Sequence, residues 1–162
     1  MDFLITAATV LTMYYNAIHN EHIPFCYNAD IEDGVVNRIE VLEKKDQSLF
    51  VKMDYSYYYD AEGRLDYKDV RRWNEKKKCW DNDCRHIYKY YHNGCNVELC
   101  HWNAKEKKYE IADEVTLYRV MGTNITSVRT YRMNEDKSNM RLVSKTIVLE
   151  PIEYTLFAAV DE

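Results

Sequence analysis

Glycine and proline are scarce in this chain, with 4 and 2 copies among 162 residues. That scarcity excludes a collagen-like or low-complexity polypeptide and leaves few places where a left-handed or kinked backbone comes easily. No apolar run approaches the ~20 residues of a membrane-spanning helix, so no transmembrane span is expected. Positive charge in excess is also missing. Lys and Arg number 22 against 27 Asp and Glu, a net charge of −5, which argues against general nucleic-acid binding, and no specific nucleic-acid partner is expected. No catalytic constellation and no cofactor fingerprint is visible, so neither catalytic residues nor a cofactor are assigned.

What is present is tyrosine, 15 copies, in a chain 46% hydrophobic and 30% charged. Tyrosine suits a pleated, partly wet surface, because its ring packs while its hydroxyl reaches water. Tyr27, Tyr57, Tyr88 and Tyr118 recur at intervals of 30, 31 and 30 residues, each leading to a turn with a glycine: Gly34, Gly63, Gly94 and Gly122. A second landmark keeps the same beat. Apolar pairs seven residues apart enclose lysine-bearing loops: Leu42/Leu49, Trp73/Trp80, Trp102/Tyr109 and Met133/Met140. Two landmarks on one period establish a tandem repeat of about four two-strand units.

The half-units read as strands. Val51, Met53, Tyr55, Tyr57 and Tyr59 alternate with polar neighbours, as do Leu65, Tyr67 and Trp73 with Arg64, Asp66, Lys68 and Arg72; Val35, Ile39 and Val41 face away from Arg38 and Glu40. His92-Asn93-Gly94-Cys95 centres a hairpin turn on Asn-Gly. The expected fold is all-β, an antiparallel up-and-down meander of 8–9 strands over residues 27–149, curled or in two layers. Residues 1–26 form a signal-like or helical segment, and 150–162 an edge strand or cap. Phe3–Met13 has the length of a signal-peptide core, but follows an acidic Asp2. As a helix it would present Leu4, Ala7, Ala8, Leu11, Tyr15 and Ile18 on one face. The first reading implies the periplasm or cell surface, the second the cytoplasm.

Residues Tyr57-Tyr58-Tyr59-Asp60-Ala61-Glu62-Gly63-Arg64-Leu65 resemble the Tyr-Asp (Rhs-type) repeats. Together with the Trp73-Asn74 to Trp80 hairpin, the unit is similar to small exported Bacteroides-type proteins of unknown function. The resemblance implies an exported β-meander with no known activity. In physical terms Asp60 caps the turn, Gly63 supplies a positive φ and the aromatics sit on the sheet.

Five cysteines, Cys26, Cys79, Cys84, Cys95 and Cys100, cannot all pair within one chain. Cys79-x4-Cys84 and Cys95-x4-Cys100 have an offset of five, which in a strand places the sulfurs on opposite faces, so no metal site is assigned. His19-x2-His22-x3-Cys26 reads as a solvated linker. A Cys84–Cys100 bridge across neighbouring strands suits an exported protein; half-buried thiols are the alternative.

Candidate binding residues come from the turns and the aromatics. In a meander alternate turns share one edge, so Lys76, Lys77, Lys78, Lys105, Lys107 and Lys108 are expected to gather there, with Lys44, Lys45 and Lys137. Asp30, Glu32, Asp33, Asp60 and Glu62 sit at the other edge. Such lysines keep turns soluble and discourage edge pairing, or they form a rim for a polyanion. Trp73, Trp80 and Trp102, with Tyr55, Tyr57, Tyr59 and Tyr109, fill a core poor in Leu and Ile or form a sugar-stacking platform. The expected function is a non-catalytic exported binding or structural module for a glycan, polyanion or protein. The competing class is a glycan-active enzyme with carboxylates gathered across repeats.

Overall fold

The structure, a computed structural model, describes residues 4–20 and 24–149. Helix α1 (Ala7–Ile18) is followed by β1 (Phe25–Glu32), β2 (Val35–Lys45), β3 (Ser48–Tyr59), β4 (Leu65–Asn74) and β5 (Cys79–Tyr91). Then come β6 (Gly94–Asn103), β7 (Lys108–Tyr109), β8 (Glu114–Gly122), β9 (Ile125–Met133) and β10 (Met140–Leu149). The order across the sheet is the order in the chain, with the two-residue β7 paired to the end of β6. Every pairing is antiparallel. The meander is therefore observed as one open sheet, with β1 and β10 as its ends among the described residues. The expected edge strand or cap at 150–162 lies outside the described residues.

The turns follow their local chemistry. Asp33 and Gly34 both have positive φ, 50° and 78°, as a two-residue hairpin turn matched to strand twist requires. At the next turn on that edge Gly63 (φ 72°) supplies the left-handed residue, and Asp60 Oδ1 accepts from the Glu62 and Arg64 amides at 2.9 Å each. On the opposite edge Asn74 Oδ1 accepts from the Lys76 and Lys77 amides, and Asn103 Oδ1 from those of Lys105 and Glu106. That is the physical content of the recurring Trp-Asn pair: the aromatic packs across the hairpin and the amide closes its loop. Trp73 lies opposite Trp80, Trp102 opposite Tyr109 and Met133 opposite Met140. Leu42 and Leu49 depart from this, because the first loop has only two residues and Leu42 pairs with Val51.

Six hairpins carry a one-residue slip in register. A slip of one residue exchanges faces, because the side-chain period of a strand is two. The extra residues are Asn37, Lys52, Asp66, Asp83, Met121 and Val143. Three expectations change as a result. Val36 replaces Val35 in the core, fully buried; Val51 leaves the face of Met53 and Tyr55; and Leu65 parts from Tyr67 and Trp73.

The core lies where α1 crosses the first half of the sheet. Val10, Val36, Ile39 and Leu65 are buried there, flanked by Tyr14, Tyr27, Tyr55, Tyr57, Tyr59 and Tyr88. The helix starts at a reciprocal cap, Thr6 with Thr9. It is pinned to the β3–β4 turn: Ala7 N–H donates to Gly63 and Leu65 N–H to Ile5. Its buried stripe is Val10 with Ile5, Leu11 and Tyr14, whereas Leu4, Tyr15 and Ile18 of the expected stripe are exposed. An uncharged segment with apolar residues all round does not reveal its inner side until a sheet is present to choose it.

Gly94 differs from the expected left-handed turn residue. It pairs directly with Tyr91, outside the two-residue loop His92-Asn93, and its φ is not positive. Its role is close approach, since any Cβ there would overlap the Tyr118 carbonyl oxygen. Gly94→Ala is expected to destabilise by about 1–3 kcal/mol, as overpacking does. Gly122→Ala, where nothing lies within 4 Å, should stay within ~0.5 kcal/mol. Urea unfolding of the two variants measures both.

Candidate functional site

Pairing places the landmark tyrosines Tyr27, Tyr57, Tyr88 and Tyr118 on alternate strands of the helix-bearing face. The tryptophans go to the other face. Trp73, Trp80 and Trp102, with Tyr109, are half-buried on a surface that no described element covers. The aromatic stripe therefore divides: Tyr55, Tyr57 and Tyr59 fill the core, and the three tryptophans do not. Trp73 and Trp80 meet edge to face at 5.4 Å between centroids, and Trp102 and Tyr109 at 5.0 Å. Each such contact contributes about 0.5–1.5 kcal/mol beyond area burial.

The same open face carries cations locked between carboxylates and rings. Asp54, fully buried, receives Arg38 at 3.1 Å and also Arg71, whose guanidinium lies 5.5 Å from the Trp80 ring centre. Arg85 donates twice to Asp69, at 2.6 and 2.8 Å, and sits between the rings of Tyr67 (4.2 Å) and Tyr109 (4.4 Å). The paired bond to Asp69 raises the Arg85 pKa further above its ordinary value. Tyr67 stacks in turn on Tyr58 at 4.3 Å. Arg119 donates to Asn96 at 2.6 Å and stands 5.4 Å from the centre of Tyr91. The result is a rigid band of rings and fixed polar groups across β2 to β8.

Sequence reading missed this band. Its trace is a carboxylate followed by an arginine 16 or 17 residues later, one strand-to-strand beat: Asp54/Arg71 and Asp69/Arg85.

The six candidate lysines do share one edge of the sheet, beside the tryptophan pairs. Half of them are ion-paired. Lys77 reaches Asp81, Lys78 reaches Glu75 and Lys108 reaches Glu106. Lys76, Lys105 and Lys107 have no carboxylate within 4 Å among the described residues. A shallow cleft of about 480 Å³ opens beside the second repeat's loop, lined by Arg72, Trp73, Asn74, Lys76, Asp81 and Asp83 among others. A counterpart of about 600 Å³ stands at the matching loop of the last repeat, with Arg132, Met133, Asn134 and Glu135. The Asn74 amide bond to Asp81 and the Lys78 bond to Glu75 hold both carboxyls below their ordinary range.

The cysteines are free thiols. Cys95 and Cys100 fall on opposite faces as expected, but the extra residue Asp83 returns Cys84 to the face of Cys79. The bridge between Cys84 and Cys100 is overturned: Cys84 lies opposite His101 on the helix-bearing face, and Cys100 opposite Arg85 on the open one. Burial pushes the Cys84 and Cys95 thiols up to about 11, which keeps them protonated. Among the described residues no three His, Cys, Asp or Glu side chains gather as metal ligands. His22 of the second cluster lies outside the described residues.

These features match a known family over residues 1–120, a family of unknown function designated DUF3836. The chain belongs to that family. Among solved structures it is similar to a Bacteroides fragilis protein of unknown function, at 23% identity and TM-score 0.66, over 82% of this chain and 96% of that one. A DUF3836 protein from Bacteroides vulgatus matches at 28% identity and TM-score 0.53, over 56% and 92%. Another from Parabacteroides distasonis matches at 20% and 0.53, over 62% and 92%. No curated protein matches the chain. The likeness to Bacteroides-type proteins of unknown function is thus the part of the expected resemblance that stands; the Tyr-Asp likeness rests on Tyr57–Leu65 alone.

One group on the helix-bearing face makes stability depend on pH. Burial lowers His86 from 6.5 to about 4, and its Nδ1 is buried without a partner. The unfolded chain binds this proton below pH 6.5 and the folded one only near pH 4. Folding stability should therefore fall between pH 6.5 and 4. His86→Gln should flatten that window while leaving the steeper acid loss below it. Urea midpoints across pH, with an NMR titration of the His86 ring, check the sign.

Proposed function

We propose that this DUF3836 protein is a non-catalytic binding module of the periplasm or cell surface whose open sheet face takes an acidic glycan. One observation carries the reading: all three tryptophans share a face that no described element covers, at the end where Lys76, Lys105 and Lys107 have no carboxylate within 4 Å among the described residues. Half-buried aromatic rings offer sugar C–H groups an apolar surface, and the neighbouring ammonium groups suit carboxylate or sulfate. Arg38, Arg71 and Arg85 are held by carboxylates and rings, so little ordering remains for binding to supply. Export is supported by the uncharged, signal-length segment at Phe3–Met13. The packing of α1 against Gly63–Leu65 favours the other reading of the same segment, a retained helix in a cytoplasmic protein.

A glycan-active enzyme is the competing reading. It needs one carboxyl that holds its proton at neutral pH. Glu75 and Asp81 are shifted the other way, and both clefts are shallow, which supports binding over hydrolysis.

Because every tryptophan lies on this face, tryptophan emission, excited at the red edge where tyrosine does not absorb, reports on it alone. Heparin or polygalacturonate should shift the emission saturably, whereas neutral dextran should not. Changing Lys76, Lys105 and Lys107 together to Gln should weaken binding about tenfold and reduce its salt dependence. Emission indifferent to both acidic polymers would end the proposal.

A further inference from the structure

A second feature lies on the other side of the sheet. Between α1 and the strands is a cavity of about 260 Å³, walled by Val10, Met13, Ile39 and Leu65. A benzene-sized ligand fills roughly 150 Å³, so this volume suits about ten non-hydrogen atoms. The lining is apolar except for phenols and one amine. Lys68, from the centre of β4, stands among Tyr14, Tyr27, Tyr55, Tyr57 and Tyr88.

The amine is out of place on this wall. Lys68 is half-buried and has no carboxylate within 4 Å among the described residues; its closest compensation is the Tyr55 ring, 5.1 Å from its Nζ. Its direct cross-strand neighbours are Tyr57 on one side and His86 on the other. Neither supplies a negative charge. Burial lowers the Lys68 pKa accordingly. Beside it, the hydroxyls of Tyr14, Tyr27, Tyr57 and Tyr88 make no hydrogen bond within the described protein. An apolar chamber whose polar groups are an ammonium and unmatched phenols has donors to spare and no anionic acceptor among the described residues.

We propose that this cavity binds a small amphipathic monocarboxylate, with its chain against Val10, Ile39 and Leu65 and its carboxylate on Lys68. The site is separate from the open face, and the two proposals stand or fall independently. The charge pairing would compensate the desolvated amine, and the phenols would supply the remaining donors to the carboxylate oxygens. Helix α1, pinned at its N-terminal end, roofs the chain with Val10 and Met13.

Sodium octanoate is the probe and octan-1-ol its neutral counterpart, each titrated calorimetrically into the full chain. Octanoate should bind saturably at one per chain and at least tenfold more tightly than octan-1-ol. Lys68→Met, which keeps an unbranched side chain and removes the charge, should abolish that preference while leaving octan-1-ol affinity within twofold. The wild-type preference is a test that needs no variant. Equal affinity for acid and alcohol, or no saturable binding of octanoate, would overturn the proposal. So would a preference for octanoate that survives in Lys68→Met.

Discussion

Everything in this molecule depends on the antiparallel backbone ladder and the one-residue slips within it. The ladder makes residues about thirty apart into neighbours on one face. Each slip then reverses which side chains look toward α1, because a strand has only two sides. Asp66 and Asp83 are the slips that matter most for the candidate sites. The first parts Leu65 from Trp73 and so sends one to the core and the other to the open face. The second sets Cys84 beside Val70 on the helix-bearing face while Trp80 stays opposite Trp73.

The two faces meet the same physical demand in different ways. On the helix-bearing face the core is thin: few aliphatic side chains are buried, and tyrosine rings complete it. Tyrosine brings a hydroxyl with each ring. Burial keeps those phenols neutral, with Tyr59 and Tyr88 raised to about 12. On the open face there is no opposing layer among the described residues, so arginine stems and rings cover one another. Asp54 is the extreme case, a carboxylate with no solvent exposure held by two guanidinium groups that reach water at their far edges. Such pairs order a surface more than they stabilise it, because desolvation offsets much of the attraction.

Ordering is what a binding surface needs. The band on the open face is rigid because each cation is committed within the protein, while the lysines at its edge remain partly free. The cavity beneath α1 presents the reverse situation: a fixed apolar volume with one cation left uncommitted.

Much of the fold was legible in the chain. The beat of Tyr27, Tyr57, Tyr88 and Tyr118, the hairpin pairs Trp73/Trp80 and Trp102/Tyr109, and the lysine turns all follow from local periodicity. Local periodicity in turn reflects backbone chemistry that neighbours in sequence decide between themselves. Facing was not legible beyond each slip. A bulge depends on how two strands align, so Val36 rather than Val35 in the core, Trp73 on the open face and the separation of Cys84 from Cys100 required the assembled sheet. The same holds for Lys68. In the linear chain it is one more polar residue alternating with apolar ones; only the arrival of α1 over the sheet turns its position into the wall of a cavity, because burial is a property of what packs against a residue.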